Sequence, residues 1–255
     1  MKVSWLILTY NRAEKVQRAI THNMTHAGEQ WDEMVWVDNG STDGVRGFMS
    51  SLNPAVSILH NRNLGVAPGY NRAMLLSSGD YMVITGCDML MPKDWLKTFK
   101  DHLRAIPNTG VACIYSGPLS DLPERARKGA GPGQWVKETI NGKEIIHAMP
   151  MGRRIYSRKL LQKIGYLRED FGLYGWEDCE WGHRAERVCD ENGLLYYVIP
   201  GMVADHLGTE GVHAYDGKDE SAYHLFKQRE SNDPRKHELM RKCKEENYPY
   251  YNPYL

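Results

Sequence analysis

The chain reads as an α/β protein with a doubly wound, mostly parallel central sheet and helices on both faces. Three observations predict this. Short apolar runs stop abruptly at polar residues, as in W-L-I-L-T-Y-N-R (5–12), M-V-W-V-D-N-G-S-T-D-G (34–44) and Y-M-V-I-T-G-C-D-M-L-M-P (81–92). Buried parallel strands look like this when they deliver polar groups at their C-terminal ends. Segments with helical spacing alternate with these runs. The composition, 42% hydrophobic and 25% charged over 255 residues, is that of a globular chain with one large core.

The elements follow in order. Val3–Thr9 is short, apolar and β-branched, hence a strand. Ala13–Met24 has helical spacing and good helix formers. Glu33–Val37 is a second strand that ends at Asp38, before the turn dipeptides Asn39-Gly40 and Asp43-Gly44. Val56–Leu59 is a third strand and Ala67–Ser77 a helix. Tyr81–Thr85 is a fourth strand, closed by Gly86-Cys87-Asp88. Asp94–Ile106 is helical and Gly110–Tyr115 extended. Residues 117–150 are rich in Gly, Pro and charge and read as a long excursion, with a hairpin around Trp135–Ile146. Order returns with the strand Arg154–Tyr156, the helix Ser157–Ile164, a helix over 176–190 and the strand-like Leu194–Ile199. From about 215 the chain is polar, and N-Y-P-Y-Y-N-P-Y-L (247–255) is unsuited to regular helix or strand. The expected organisation is one domain, 1–214, in two halves (1–115 and 116–214), followed by an extension, 215–255.

Bulk properties exclude several classes. Lys plus Arg and Asp plus Glu both number 32, so no global field draws the chain to nucleic acid. No apolar run approaches the roughly 20 residues that span a bilayer, so only peripheral membrane contact is expected. Val3–Leu8 is too short for the apolar core of a signal peptide. The five cysteines are scattered, with no C-x-x-C pair, so a cytoplasmic setting is the simplest expectation.

The polar ends of these elements carry the candidate chemistry. Asp38, where a strand meets an N-G turn, is placed to accept a hydrogen bond from a nucleobase edge or to brace its own turn. Asn63, Gly65 and Asn71 form N-x-G-x-x-x-G-x-N, a loop opening into a helix whose free N–H groups suit phosphate or ribose, or else a plain junction. Arg62 and Arg72 are lesser phosphate candidates. Asp88 follows the fourth strand. Trp176-Glu177-Asp178-Cys179-Glu180-Trp181 sets three acids in four positions between two indoles. A carboxylate at a cleft mouth serves as a general base, although acids also favour a helix start for electrostatic reasons. Exposed indoles stack on sugar rings, and buried ones are core. Arg153 and Arg154 head a strand facing this segment and are candidate contacts for an acidic acceptor or a diphosphate. His206, within V-A-D-H-L-G (203–208), lies 28 residues beyond Asp178.

Taken together, these segments resemble a family 2 glycosyltransferase of the GT-A fold over roughly residues 3–100 and 150–210. W-E-D-x-E-x-G-x-R-A is closest to the galactofuranosyltransferase/rhamnosyltransferase-like branch, which carries W-D-D and then G-x-R-A. The resemblance implies an inverting transferase that moves a sugar from a nucleoside-diphosphate sugar, UDP- or dTDP-linked, to a hydroxyl of a glycan, lipid-linked or protein acceptor. It makes residues 1–115 the nucleotide-sugar half and 116–214 the acceptor half. Thr9, Tyr10, Asn11, Arg12, Asp38, Asn63, Gly65, Asn71, Cys87 and Asp88 fall to the donor. Trp176, Glu177, Trp181 and Arg153 fall to the acceptor. Asp178 is the implied base with Glu177 beside it, and Asp88 with His206 is the implied holder of Mn²⁺ or Mg²⁺. The chain departs from the family's Asp-x-Asp at one point, because Gly86 stands where the first acid is usual. Two rival readings are a non-catalytic binding module descended from such an enzyme and a sugar-phosphate nucleotidyltransferase. The second would want G-x-G-T-R early in the chain, where residues 8–16 read L-T-Y-N-R-A-E-K-V.

Overall fold

The computed structural model describes residues 1–115, 136–148, 153–207, 232–245 and 250–254. Its strands are β1 Val3–Thr9, β2 Glu33–Asp38, β3 Val56–Leu59, β4 Tyr81–Ile84, β5 Met89–Leu90, β6 Thr109–Tyr115, β7 Lys137–Ile140, β8 Lys143–Ile146, β9 Arg153–Ser157, β10 Leu195–Val203 and β11 Asp205–His206. Its helices, in our numbering, are α1 Ala13–Thr25, α2 Val45–Ser51, α3 Val66–Leu76, α4 Trp95–Ala105, α5 Arg158–Ile164, α6 Glu177–Glu191 and α7 Pro234–Glu245. Nine strands form one sheet in the order β3-β2-β1-β4-β9-β6-β10-β8-β7. Strands β1 to β4 are mutually parallel, as are β6 and β10, while β9 runs against both of its neighbours.

Alternation along β1 explains the two cores. Leu6 and Leu8 point to the face covered by α3, α5 and α6, where Met74, Leu160, Ile164, Trp181 and Ala185 pack. Val3, Trp5 and Ile7 point to the opposite face with Val16, Ile20, Met49, Trp95 and Phe99 of α1, α2 and α4. Successive strand residues face opposite sides of a sheet, so an unbroken apolar run is what a doubly covered strand requires. The expected α/β class therefore holds.

The structure adds elements that the pattern did not indicate. Helix α2 carries Gly47 at its centre, which depresses helix propensity. The pair β5–β11 is an antiparallel ribbon of two residues per strand, with His206 opposite Met89. A hairpin is present as β7–β8; residues 116–135 of the excursion lie outside the described residues. Helix α7 was legible in principle. Asp233 accepts a hydrogen bond from the Arg235 N–H at 2.9 Å, and Pro234 opens the helix, a standard start. Lys236, Met240 and Cys243 fall on one buried face.

The described parts of the C-terminal extension pack against the segment from Gly165 to Trp176. Lys236 Nζ donates to the Tyr174 carbonyl at 2.8 Å, and His237 meets Trp176 edge-on at 4.6 Å between ring centroids. Among its described residues, 250–254, the Tyr-rich end forms no helix or strand, as expected. Tyr251 bridges Gly165 as a single parallel pair, its carbonyl taking the Tyr166 N–H at 2.7 Å. No helix among the described residues is long and apolar enough to cross a membrane.

Candidate active site

A cleft of about 520 Å³ opens at the C-terminal ends of β1, β2 and β4, between the β4–β5 turn and the start of α6. Parallel α/β sheets bind ligands at this end. Lining it are Thr9, Tyr10, Arg12, Asn39, Asn63, Gly65, Tyr70, Cys87, Asp88, Arg154, Tyr174, Glu177, Asp178 and His206, among others. The two implied halves thus meet across one space.

On the first wall, Arg12 Nη1 lies 3.0 Å from Asp88 Oδ2 and His206 Nε2 lies 3.5 Å from the same oxygen. The β5–β11 ribbon places this histidine, and the Leu207 N–H caps the Asp88 carbonyl at 2.9 Å. This is how the 117 residues of intervening sequence are bridged to bring Asp88 and His206 together. Gly86 sits at φ 82°, where any side chain is strained. The turn is thus built for glycine, which accounts for the missing first acid.

Carboxylate and imidazole form an oxygen–nitrogen pair that suits Mn²⁺ better than Mg²⁺. Among the described residues no cluster of three or more His, Cys, Asp or Glu side chains forms a complete cage. Asp88 and His206 supply two ligands, so a cation held there would need further oxygen ligands to complete its shell.

The opposite wall is the first turn of α6. Trp176 precedes it at φ 76°, a conformation costly for a non-glycine residue. Asp178 reaches the cleft, and its Oδ1 takes the Cys179 N–H at 2.7 Å. Glu177 is 6% exposed, and burial first, then the neighbouring Asp178, pushes its carboxyl up from 4.5 to about 8. A raised carboxyl keeps its proton in the folded state where the unfolded chain has released it. The associated stability is complete below about pH 4.5 and is lost as pH rises through about 8. Glu177→Gln is therefore expected to flatten the fall in urea midpoint between pH 5 and pH 8; a variant with the wild-type slope contradicts the assignment.

Several of the expected site residues lie away from the cleft lining or turn their polar groups elsewhere. Asp38 is 0% exposed and does not line the cleft. Its carboxylate accepts from the N–H groups of Gly40 (3.2 Å) and Ser41 (2.9 Å) and from Arg46 Nε (2.8 Å). It braces the β2–α2 turn, and its neighbour Asn39 faces the cleft instead. Asn39 Nδ2 is anchored on the Gly65 carbonyl at 2.8 Å, leaving Oδ1 buried without a partner. Asn71 is also fully buried, its amide pairing with both the N–H (2.9 Å) and the carbonyl (2.8 Å) of Leu167. It clips α3 to the loop before α6 and touches no ligand space. Asn11 takes the Thr42 N–H at 2.8 Å and closes the loop before α1 from outside the cleft. Thr9 lines the cleft but turns its hydroxyl inward to accept from Trp36 Nε1 at 2.9 Å.

The two indoles leave the acceptor side. Trp181 is 1% exposed, because positions 177, 181, 185 and 188 share the inner face of α6. Trp176 packs on His237 and does not line the cleft. Tyr174, which the sequence did not single out, does. Arg62 and Arg72 stand outside it. The Arg153 side chain lies outside the described residues, and Arg154 lines the cleft. Tyr10, Arg12, Asn63, Gly65 and Cys87 stand in the lining as expected. Gly65 begins α3 at φ 101°, and a Cβ there would meet the Gly172 carbonyl and Leu173 Cα at 3.0 Å.

Comparison with known proteins bears on the family and the fold. The uncharacterized glycosyltransferase YfnE of Bacillus subtilis (strain 168) is 32% identical over 107 residues, 40% of this chain and 27% of that protein. A mannosyltransferase from Pyrobaculum calidifontis, solved with GDP-Man and Mn²⁺, superposes with a TM-score of 0.59 at 21% identity, covering 88% of this chain and 59% of that one. S. aureus TarS 1–349 in complex with UDP gives 0.55 at 18% identity, covering 80% and 59%. The chain spans about a quarter of the length of the curated relatives it matches. The fold is that of the GT-A glycosyltransferases. Residues 4–165 match the model described as glycosyl transferase family 2, and the chain belongs to that family.

Proposed function

We propose that this protein is a metal-assisted, inverting glycosyltransferase that uses a nucleoside-diphosphate sugar, UDP- or dTDP-linked. The observation that carries the reading is the facing of two groups across one cleft: Asp88, Arg12 and His206 on one wall, Glu177 and Asp178 on the other. Solved relatives with UDP or with GDP-Man and Mn²⁺ support a nucleotide-sugar donor and a divalent cation. The five cysteines are free thiols, which fits a cytoplasmic setting.

Each residue has a task in this reading. Asn39 Oδ1 accepts a hydrogen bond from the nucleotide, and Thr9, Tyr10 and Arg12 line its pocket. Asp88 and His206 hold Mn²⁺ or Mg²⁺. When bound, the cation neutralises the charge that builds on the departing diphosphate. Arg12 keeps a second positive charge beside the phosphates. Asp178 takes the proton of the acceptor hydroxyl as its oxygen attacks the anomeric carbon. The bond from that carbon to the diphosphate oxygen breaks from the opposite side, and the configuration inverts. Protonated Glu177 donates a hydrogen bond to the acceptor and so orients it.

The test is release of nucleoside diphosphate from a panel of UDP-, dTDP- and GDP-sugars. Release is expected with Mn²⁺ and lost with EDTA. Asp88→Ala is expected to lower it about 10²-fold or more, the scale of losing one preorganised electrostatic stabiliser. Metal-independent release with full activity in Asp88→Ala would refute the assignment.

A further inference from the structure

Arg154 is left over by this mechanism. It pairs with Ile84 of β4 on one side and Cys113 of β6 on the other, in the middle of the sheet. Its guanidinium lies over the Trp181 indole at 4.6 Å, and the residue is 5% exposed while still lining the cleft. Among the described residues it forms neither an ion pair nor a side-chain hydrogen bond, and its Nε is buried without an acceptor. Two further donors stand beside it in the same condition, Tyr156 Oη and Trp181 Nε1. Buried donors are nearly always satisfied, and a buried cation without a counter-charge is costly. Of these three donors without an acceptor, Arg154 is the one that lines the cleft, where a ligand can reach it.

We infer that Arg154 is the docking point for an anionic group, a carboxylate or a phosphate, carried by the acceptor. This deepens the proposed function and rests on its division of the cleft into donor and acceptor sides. The diphosphate side already has Arg12 and His206 around Asp88. Arg154 lies instead against α6, whose first turn bears Glu177 and Asp178, and its charge acts on Glu177. A planar guanidinium offers parallel N–H donors to two oxygens at once. The acceptor would thus be an acidic sugar or a sugar phosphate, seated with its hydroxyl towards Asp178. The neutral Glu177 side chain avoids repelling it.

The experiment measures binding of three probes, methyl glucoside, methyl glucuronide and glucose 6-phosphate, with and without saturating UDP and Mn²⁺. Wild type is expected to prefer an acidic probe by about tenfold, the scale of a charge-assisted hydrogen bond. Arg154→Met is expected to abolish that preference and leave UDP affinity unchanged. It is also expected to raise the melting temperature of the ligand-free protein, because it removes an uncompensated buried charge. Equal binding of the neutral and acidic probes by wild type, or binding of none, overturns the inference whether or not the variant folds. So does a fall in UDP affinity in Arg154→Met, which would make Arg154 a donor contact. UDP binding reports separately on the proposed function, so failure of the one is distinguishable from failure of the other.

Discussion

Asp178→Asn is expected to lower kcat by about 10²–10⁴-fold, the usual contribution of a general base, while nucleotide affinity stays near wild type. The asparagine keeps the size of the side chain and can still accept the Cys179 N–H at the Oδ1 position, so the α6 start is preserved. What it loses is the ability to take a proton from the attacking hydroxyl. Hydrolysis of the donor by water and transfer to an acceptor should both fall, because each nucleophile must shed a proton. The neighbouring Glu177→Gln should behave differently. Glu177 is buried and holds its proton at neutral pH, so its amide replacement still donates a hydrogen bond, and the loss should be smaller. Transfer rates with a saturating donor separate the two. Equal losses in both variants, or a fall in UDP affinity in Asp178→Asn, would remove Asp178 from the role of base.

The largest expected effect on stability comes from Arg184. It is 3% exposed and grips Glu180, itself 2% exposed, through two bonds of 2.6 and 2.7 Å. The same guanidinium donates to the carbonyls of Ile164 and Tyr166, which binds the end of α5 to α6. Arg184→Met leaves Glu180 buried and unpaired and two carbonyls short of a donor. Breaking such a pair costs about 3–5 kcal/mol, a large part of the 5–15 kcal/mol typical of a folded protein. The double change Glu180→Leu with Arg184→Met should be less harmful than Arg184→Met alone, since no stranded charge remains. Urea denaturation of the three variants checks both statements. A double variant that is weaker than Arg184→Met would show that the pair stabilises beyond mutual neutralisation.

The fold was legible because the strands of a doubly covered sheet are continuous apolar runs, and β1, β2 and β4 stand out with little ambiguity. Asp88, Glu177 and Asp178 drew notice because each sits where an apolar run or a helix begins or ends, whereas His206 was pointed to by the family resemblance. The residues that moved did so for one reason: sequence position does not say which way a side chain turns. Asp38 and Asn39 are neighbours at the end of β2, and the backbone N–H groups of the following turn claim the aspartate, leaving the asparagine to the cleft. Trp176 and Trp181 flank the same acids, yet α6 periodicity takes Trp181 into the core and α7 takes Trp176. His237, which takes Trp176, is 61 residues away in the chain. Arg154 could be suspected from sequence, but its lack of an acceptor is visible only in three dimensions.

The central claim is that Asp88 and His206 face Glu177 and Asp178 across a nucleotide-sugar site. A crystal grown with UDP and Mn²⁺ and measured at the manganese absorption edge tests it directly. The account predicts an anomalous peak in contact with Asp88 and His206, beside the diphosphate, with the uracil next to Asn39. A peak elsewhere, or UDP bound outside the cleft, would contradict it.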